Sequence, residues 1–238
     1  MSALWLAIDT ATDVASVAIG TAEQTLAARA LPGARQHAAQ ILPLIQQVLA
    51  AARTRLDDVG ELVVGDGPGS FTGVRIGWAA AKGLAHEREL PVVALPSLLG
   101  TAHAAARANA VPDGASVVAC YDALRGQVFA AIYAFHSRRV ETVVAPDVFT
   151  IATLATATTV TPMLAAGDGA ERYRDEIVRW IGRPPVAPET LPPIAGSLLA
   201  LAPLAGYAAT GEPTYGRPAA AQVKWEASHG RPLPHPSR

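Results

Sequence analysis

The sequence is poor in cysteine, in aromatic residues and in surplus charge. Cys120 is the single cysteine among 238 residues, so no intramolecular disulfide can form, which fits a reducing compartment. The 19 basic and 20 acidic residues give a net charge of −1, which excludes a global basic field for gripping nucleic acid. The near-zero net charge does not exclude a local basic patch. Aromatic residues make up only 5%, so the core must be aliphatic and rich in alanine.

Signals for export, for membrane insertion and for metal or nucleophilic catalysis are also missing. The first basic residue is Arg29, and Asp9 interrupts the N-terminal apolar run, so we expect no secretory signal and a cytoplasmic location. The uncharged stretches 148–167 and 190–211 are broken by proline and threonine, so we expect core segments and no membrane contact. The six histidines form no closely spaced ligand pair, and no Gly-x-Ser-x-Gly elbow occurs.

The order of the predicted elements repeats along the chain. Three short apolar runs between residues 4 and 31 predict a strand meander, and alternating helices and strands follow, with helices at Arg35–Arg53, Phe71–Arg88 and Ser97–Ala108. A second meander begins at Ser116 and is again followed by helix and strand patterns. The repeat predicts two similar α/β halves that meet near residues 110–115. From Pro218 onward the composition predicts a flexible tail.

A glycine-rich turn at Gly65–Gly69 follows a predicted strand and opens the helix that starts at Phe71. Glycine allows close backbone approach, and a free helix N-terminus favours anions. A phosphate or carboxylate site is therefore chemically reasonable, with Gly67, Gly69, Ser70, Thr72 and Gly73 as its candidate residues. The alternative is a tight turn with an ordinary cap, because the segment matches neither a Walker A loop nor a dinucleotide fingerprint.

The helix after this turn is apolar on nearly every side. Between Gly73 and Ala85 its only charged residues are Arg75 and Lys82, which are seven residues apart and share one narrow stripe. A helix of this kind needs burial on more than one side. Its own sheet supplies one cover, and either a partner chain or another part of this chain must supply the other.

A polar turn separates the first two predicted strands. Asp9, Thr10 and Thr12 offer a carboxylate and hydroxyls to a phosphate or a metal, at the place where actin-like folds hold phosphates. A capped β-turn is the alternative, because the turn has no glycine that would let a phosphate approach closely. Asp122 lies at the matching place in the second half and has the same two interpretations.

Together these segments resemble the TsaB family of bacterial accessory proteins that act in making threonylcarbamoyladenosine in tRNA. The matching motifs are Ile8-Asp9-Thr10-Ala11-Thr12, His37 with Ile41-Leu42-Pro43, and above all the string from Gly67 to Gly77. The likeness extends over nearly the whole chain to Arg217, through Gly83-Leu84-Ala85, Asp122 with Gly126, and Pro213-x-Tyr215-x-Arg217. Leu124 and Gly216 depart from the family's Asp-Ala-Arg and Tyr-Leu-Arg patterns.

The resemblance implies an α/β fold of the actin, Hsp70 and sugar-kinase (ASKHA) class, a duplicated ribonuclease-H-like fold in two lobes. The lobes would be residues 1–110 and 111–217, followed by the tail 218–238. It further implies that helices 35–53 and 71–88 bind a partner. The residues expected to do so are His37, Ile41, Leu44, Val74, Trp78 and Ala81.

The resemblance also implies a non-catalytic scaffold for the related catalytic subunit, TsaD. That subunit transfers the threonylcarbamoyl group from threonylcarbamoyl-AMP to adenosine N6 in tRNA. The expected partners are a TsaD-like subunit, a TsaE-like ATPase, and a second copy of this chain when TsaD is absent. The chain would reach tRNA only through this complex.

No catalytic role is expected, because the metal-binding His-x-x-x-His of the catalytic relatives is replaced here by Ser97-Leu98-Leu99-Gly100-Thr101. We expect this chain to need no cofactor and no metal, with ATP or ADP allowed at the partner interface. The alternative is an enzyme, either an ATP-dependent kinase-like protein or a glycoprotease-like peptidase.

Overall fold

The computed structural model describes residues 4–137 and 139–204. The predicted tail and the motif that contains Tyr215 and Gly216 lie outside these residues. Within them, no helix is long and apolar enough to cross a bilayer.

The first half of the described chain is a five-stranded mixed sheet with three helices. Its strands are β1 (Leu4–Asp9), β2 (Val14–Gly20), β3 (Thr25–Pro32), β4 (Val59–Gly65) and β5 (Val92–Leu95). Its helices are α1 (His37–Ala51), α2 (Phe71–Arg88) and α3 (Ser97–Ala108). The strand order is β3-β2-β1-β4-β5, in which β1, β2 and β3 pair antiparallel and β1, β4 and β5 pair parallel.

The second half repeats this plan. Its strands are β6 (Ser116–Asp122), β7 (Val128–His136), β8 (Arg139–Phe149) and β9 (Leu164–Ala166), in the order β8-β7-β6-β9. Its helices are α4 (Ile151–Thr156), α5 (Asp168–Arg172), α6 (Arg174–Ile181) and α7 (Ile194–Leu201). As in the first sheet, the first three strands are antiparallel and the fourth is parallel to the first. The predicted duplicated ribonuclease-H-like α/β fold is therefore confirmed.

The two sheets and their helices stack in five layers. Helices α1 and α2 cover one face of the first sheet, and α3 and α7 lie between the two sheets. Helices α4, α5 and α6 cover the outer face of the second sheet. Although α7 falls in the predicted second lobe by sequence, it packs against β1 and β2 of the first sheet. The two halves therefore share one continuous apolar core.

The core is aliphatic and rich in alanine, as the composition predicts. One cluster of buried side chains runs from α1 through both sheets, and a smaller one lies beneath α4, α5 and α6. Tyr133 is the largest fully buried side chain among the described residues, and the next largest are leucines and isoleucines. Helix α1 begins at His37, so Pro43 lies inside the helix.

Candidate functional site

The glycine-rich turn packs directly against the turn between β1 and β2. A Cβ atom placed on Gly69 would overlap the carbonyl oxygen of Ala11, and one on Gly73 would overlap that of Thr10. The backbone N–H of Ser70 donates to the Ala11 carbonyl over 2.7 Å. These glycines allow close approach, and the chain's own backbone occupies the space they leave.

Thr10 attaches this turn to the first turns of α2. Its hydroxyl Oγ1 donates to the carbonyl of Gly73 over 2.7 Å and accepts from the N–H of Gly77 over 3.1 Å. A Cβ atom on Gly77 would lie 2.5 Å from the same Oγ1. The Ser70 side chain caps the helix by accepting from the Gly73 N–H over 3.2 Å. The start of α2 is therefore fixed to the first sheet by specific polar contacts.

Asp9 belongs to a buried polar network that joins the two sheets. Its carboxylate accepts from the Ala11 N–H over 3.1 Å and from the Ser97 hydroxyl. The same hydroxyl accepts from the Gly67 N–H over 3.2 Å, and the Tyr121 hydroxyl donates to the Ser97 carbonyl over 2.9 Å. Burial raises the pKa of Asp9 above its ordinary value, and the hydrogen bonds from Ser97 and Ala11 only partly offset this.

The predicted anion site needs correction. The structure does bring Asp9, Thr10, Gly67, Gly69, Ser70 and Gly73 together, but they contact one another and leave no open phosphate cradle. Thr72 is exposed on α2, and the Thr12 hydroxyl hydrogen-bonds to the backbone of Val14. A phosphate-binding loop and a close-packed turn have the same sequence pattern. Both need glycine, because either a phosphate or a neighbouring backbone must approach the chain closely.

The cleft beside this turn does not suit a nucleotide either. A cavity of about 470 Å³ lies between the β1–β2 turn and the start of α5. Its described lining includes the carboxylates of Asp13, Asp168 and Glu189 and contains no lysine or arginine. Carboxylates repel the phosphates of ATP and ADP, so the residues present do not fit that group here.

The matching turn in the second half is a capped β-turn. The Asp122 carboxylate accepts from the Leu124 N–H over 3.0 Å and pairs with the Arg172 guanidinium at 3.0 Å. Leu124 and Arg125 have φ angles of 63° and 53°, a backbone region that costs energy outside glycine. Of the two interpretations left open for Asp122, the structure supports the capped turn. Cys120, two residues earlier on β6, is fully buried, and burial raises the pKa of its thiol.

The six residues predicted to bind a partner also need correction, because all of them are buried within the chain. The exposed fraction is 4% or less for each of His37, Ile41, Leu44, Val74, Trp78 and Ala81. They recur at helical spacing because they face the protein's own sheet, which is the usual fate of the main apolar stripe of a helix. The His37 Nε2–H donates one hydrogen bond to the Asp13 carbonyl oxygen over 3.3 Å.

The surface that α1 and α2 do present to solvent is a different set of residues, which we name the α1–α2 outer face. Leu42 is 52% exposed and Phe71 is 38% exposed, although both are large apolar side chains. The exposed residues of this face are Ala38, Ala39, Gln40, Leu42, Gln46, Gln47, Ala50, Ala51, Phe71, Thr72, Arg75, Ala79, Lys82, Gly83, His86 and Glu87. Sequence reasoning missed these positions. The signal was available, since no charged residue occurs in α1 and solvent-facing helix surfaces are ordinarily charged.

The fold and this site together define a class of protein. The chain is a duplicated ribonuclease-H-like α/β protein of the actin, Hsp70 and sugar-kinase type, whose β1–β2 turn is packed against its own glycine-rich turn. The family model described as "TsaD: tRNA N6-adenosine threonylcarbamoyltransferase" matches residues 31–174, and the chain belongs to this family.

Relatives with established names agree with this assignment. The chain is 40% identical over 149 residues to the tRNA threonylcarbamoyladenosine biosynthesis protein TsaB of Escherichia coli, covering 60% of this chain and 63% of that protein. It is 32% identical over 142 residues to TsaB of Bacillus subtilis, covering 60% and 59%. The solved structure of YeaZ from Pseudomonas aeruginosa is similar with a TM-score of 0.74 and 28% identity, covering 90% of this chain and 99% of that one. The matches to these two named relatives span less than two thirds of each relative's length. The predicted resemblance to TsaB is confirmed.

Proposed function

We propose that this chain is a non-catalytic subunit in the formation of threonylcarbamoyladenosine in tRNA. It would bind a TsaD-like catalytic subunit through the α1–α2 outer face, and that subunit would transfer the threonylcarbamoyl group from threonylcarbamoyl-AMP to adenosine N6. A TsaE-like ATPase would complete the assembly, and a second copy of this chain would occupy the face when the catalytic subunit is absent.

The observation that carries this proposal is the exposure of the large apolar side chains Leu42 and Phe71 on two fixed helices. Leu42 and Phe71 would each bury more surface against a partner, and burial of a whole such side chain is worth about 1.5–3 kcal/mol. The Thr10 hydroxyl and the Ser70 cap hold α2 in place before any partner arrives. A preformed surface loses little conformational entropy on binding, which favours affinity.

The residues that stand in place of the relatives' metal ligands support the non-catalytic part of the proposal. Ser97 and Thr101 stand where the resemblance places the two histidines, and both hydroxyls are engaged in the buried network. Ser97 bonds to Asp9, and Thr101 bonds to the Tyr121 hydroxyl at 2.6 Å. Across residues 4–137 and 139–204, no group of three or more His, Cys, Asp or Glu side chains could hold a metal. These positions serve packing between the two sheets.

The proposal is tested by reconstituting tRNA modification from purified components. Leu42→Glu places a carboxylate on the α1–α2 outer face, and an unpaired charge there should weaken the complex by at least about 2 kcal/mol, or roughly thirtyfold. Val160→Glu is the matched control, because Val160 is 49% exposed and lies after α4 in the opposite outer layer.

We expect threonylcarbamoylated tRNA, measured by mass spectrometry of nucleosides, to depend on this chain and to fall with Leu42→Glu at limiting protein. Val160→Glu should match the wild type. Full activity of the mixture without this chain, or equal activity of both variants, would contradict the proposal. Hydrolysis of ATP or of a peptide by this chain alone would favour the enzyme alternative.

A further inference from the structure

The Thr10 hydroxyl lies between two backbone groups of α2 that are four residues apart. Its Oγ1 donates to the Gly73 carbonyl over 2.7 Å and accepts from the Gly77 N–H over 3.1 Å. In an uninterrupted α-helix the N–H of one residue donates to the carbonyl four residues earlier, and Gly77 and Gly73 are the two residues that such a bond would join. A side chain of the β1–β2 turn therefore bonds to both ends of one helical pair.

A hydroxyl in this place acts on the direction of the helix. A side chain that inserts into the helical hydrogen-bond ladder is one of the few identified causes of a helix bend. Glycine at both positions admits the turn, because a Cβ atom on Gly77 would lie 2.5 Å from Thr10 Oγ1 and one on Gly73 would overlap the Thr10 carbonyl oxygen. Thr10 itself is fully buried, so any effect on a partner must pass through α2.

The bridge divides α2 into a short first turn and a longer buried part. The first turn begins at Phe71, which is 38% exposed on the α1–α2 outer face. Beyond the bridge, Trp78 and Ala81 pack into the core. The Ser70 N–H donates to the Ala11 carbonyl over 2.7 Å, which fixes the start of the helix to the sheet. Loss of the hydroxyl would therefore redirect the first turn about that point and would not detach it.

We propose that Thr10 is a positioning residue for the partner complex: its buried hydroxyl sets the direction of the first turn of α2 and thereby places Phe71 on the α1–α2 outer face for the catalytic subunit. This inference rests on the proposed function, because it names the residue inside the chain that shapes the surface on which the partner docks.

The size of the effect follows from helix geometry. Without the hydroxyl, the Gly73 carbonyl and the Gly77 N–H are free to bond to each other, which changes the direction of the first turn. A change of about 20° over one turn of about 5.4 Å moves the far end of that turn by about 2 Å. Protein interfaces are packed as densely as protein interiors at their core, so a shift of this size disrupts the contacts of an aromatic side chain.

Removal of the hydroxyl tests the proposal. Thr10→Val keeps the shape of the side chain and removes both bonds, Thr10→Ala removes them and leaves the space empty, and Thr10→Ser keeps them. The dissociation constant of the complex with the TsaD-like subunit would be measured by isothermal titration calorimetry, at a temperature where circular dichroism shows every variant folded. Thr10→Val and Thr10→Ala should weaken the complex by at least about tenfold, and Thr10→Ser should stay within about twofold of the wild type.

Thr101→Val is the matched control. Thr101 is also a buried threonine, and its hydroxyl bonds to that of Tyr121 at 2.6 Å between the two sheets, across the first sheet from α2. Thr101→Val should lower the melting temperature, as Thr10→Val does, because each removes a buried hydrogen bond. It should leave the dissociation constant of the complex unchanged.

A double-mutant cycle with Phe71→Ala identifies the route of the effect. Because Thr10 acts through Phe71, Thr10→Val should weaken binding by less than about twofold when Phe71 is already alanine. Binding of Thr10→Val as tight as that of the wild type, the same weakening with and without Phe71→Ala, or the same weakening by Thr101→Val would overturn the positioning role while the proposed function stands. Failure of the wild-type chain to form any heterocomplex would instead overturn the proposed function itself.

Discussion

Near Thr10, the β1–β2 turn contacts the glycine-rich turn that opens α2. This contact predicts that replacing glycine by alanine has opposite effects on stability at two positions of α2. Gly73→Ala and Gly83→Ala both replace glycine in α2, and alanine is favoured over glycine in helices by up to about 1 kcal/mol. At Gly83, nothing lies within 4 Å of the added Cβ atom. At Gly73, the added atom would overlap the carbonyl oxygen of Thr10.

The cost at Gly73 can be worked out from these contacts. Restoring ordinary contact requires Thr10 or the start of α2 to move by more than about 1 Å, and such overpacking costs about 1–3 kcal/mol. That shift also breaks the two bonds of the Thr10 hydroxyl, which are worth about 1 kcal/mol each. After the gain in helix propensity is subtracted, we expect Gly73→Ala to lower the free energy of unfolding by roughly 2–4 kcal/mol.

Urea denaturation followed by circular dichroism, together with thermal melts, measures both changes. For a chain of this size we expect Tm to fall by roughly 5–15 °C for Gly73→Ala and to rise by roughly 1–4 °C for Gly83→Ala. Equal stabilisation by both substitutions would refute the reasoning, because it would show that the β1–β2 turn does not lie against Gly73.

Three further outcomes are expected. Because burial raises the pKa of Asp9 above 3.8, its contribution to stability is complete below that pH and is lost as the pH rises through the folded pKa. Urea unfolding between pH 4 and 8 should therefore show a steeper decline for the wild type than for Asp9→Asn, and parallel profiles would contradict this. Burial, together with the nearby Arg107 charge, lowers the pKa of His103 to about 4, so its ring should titrate near pH 4 by NMR. Its stability contribution is present above pH 6.5 and lost as the pH falls towards 4, and a ring that titrates near 6.5 would be inconsistent with the packing described. Ala81→Asp should destabilise the chain by at least about 3 kcal/mol in urea, because Ala81 is fully buried, whereas a stable variant that only loses binding would show that Ala81 faces outward.

Much of the fold could be predicted from local pattern. Helices α2 and α3 have the bounds that their sequences predict, Phe71–Arg88 and Ser97–Ala108, because each begins at a clear turn signal and ends at a change of composition. The two meanders predict the duplication correctly. Helix α7 shows what pattern cannot give, since its packing against the first sheet depends on tertiary contacts from distant parts of the chain.

The site was harder to predict, for two physical reasons. A glycine that admits a phosphate and a glycine that admits a neighbouring backbone look the same in sequence, so Gly69 and Gly73 gave no way to choose. An apolar stripe at helical spacing shows that a helix face is buried but not what buries it. In the structure, Trp78 and Ala81 belong to the core of this chain. The positions that indicate the exposed helix surface are the uncharged residues between them and around Leu42.

The central claim is that this chain acts by presenting the α1–α2 outer face to a catalytic subunit. The most direct measurement is light scattering during gel filtration, with this chain alone, mixed with the TsaD-like subunit from the same organism, and with Leu42→Glu in its place. The account predicts a one-to-one complex with the wild-type chain, loss of any homodimer in that mixture, and no complex with Leu42→Glu. A complex that forms equally well with Leu42→Glu, or none with the wild-type chain even when nucleotide, tRNA and the TsaE-like protein are added, would contradict it.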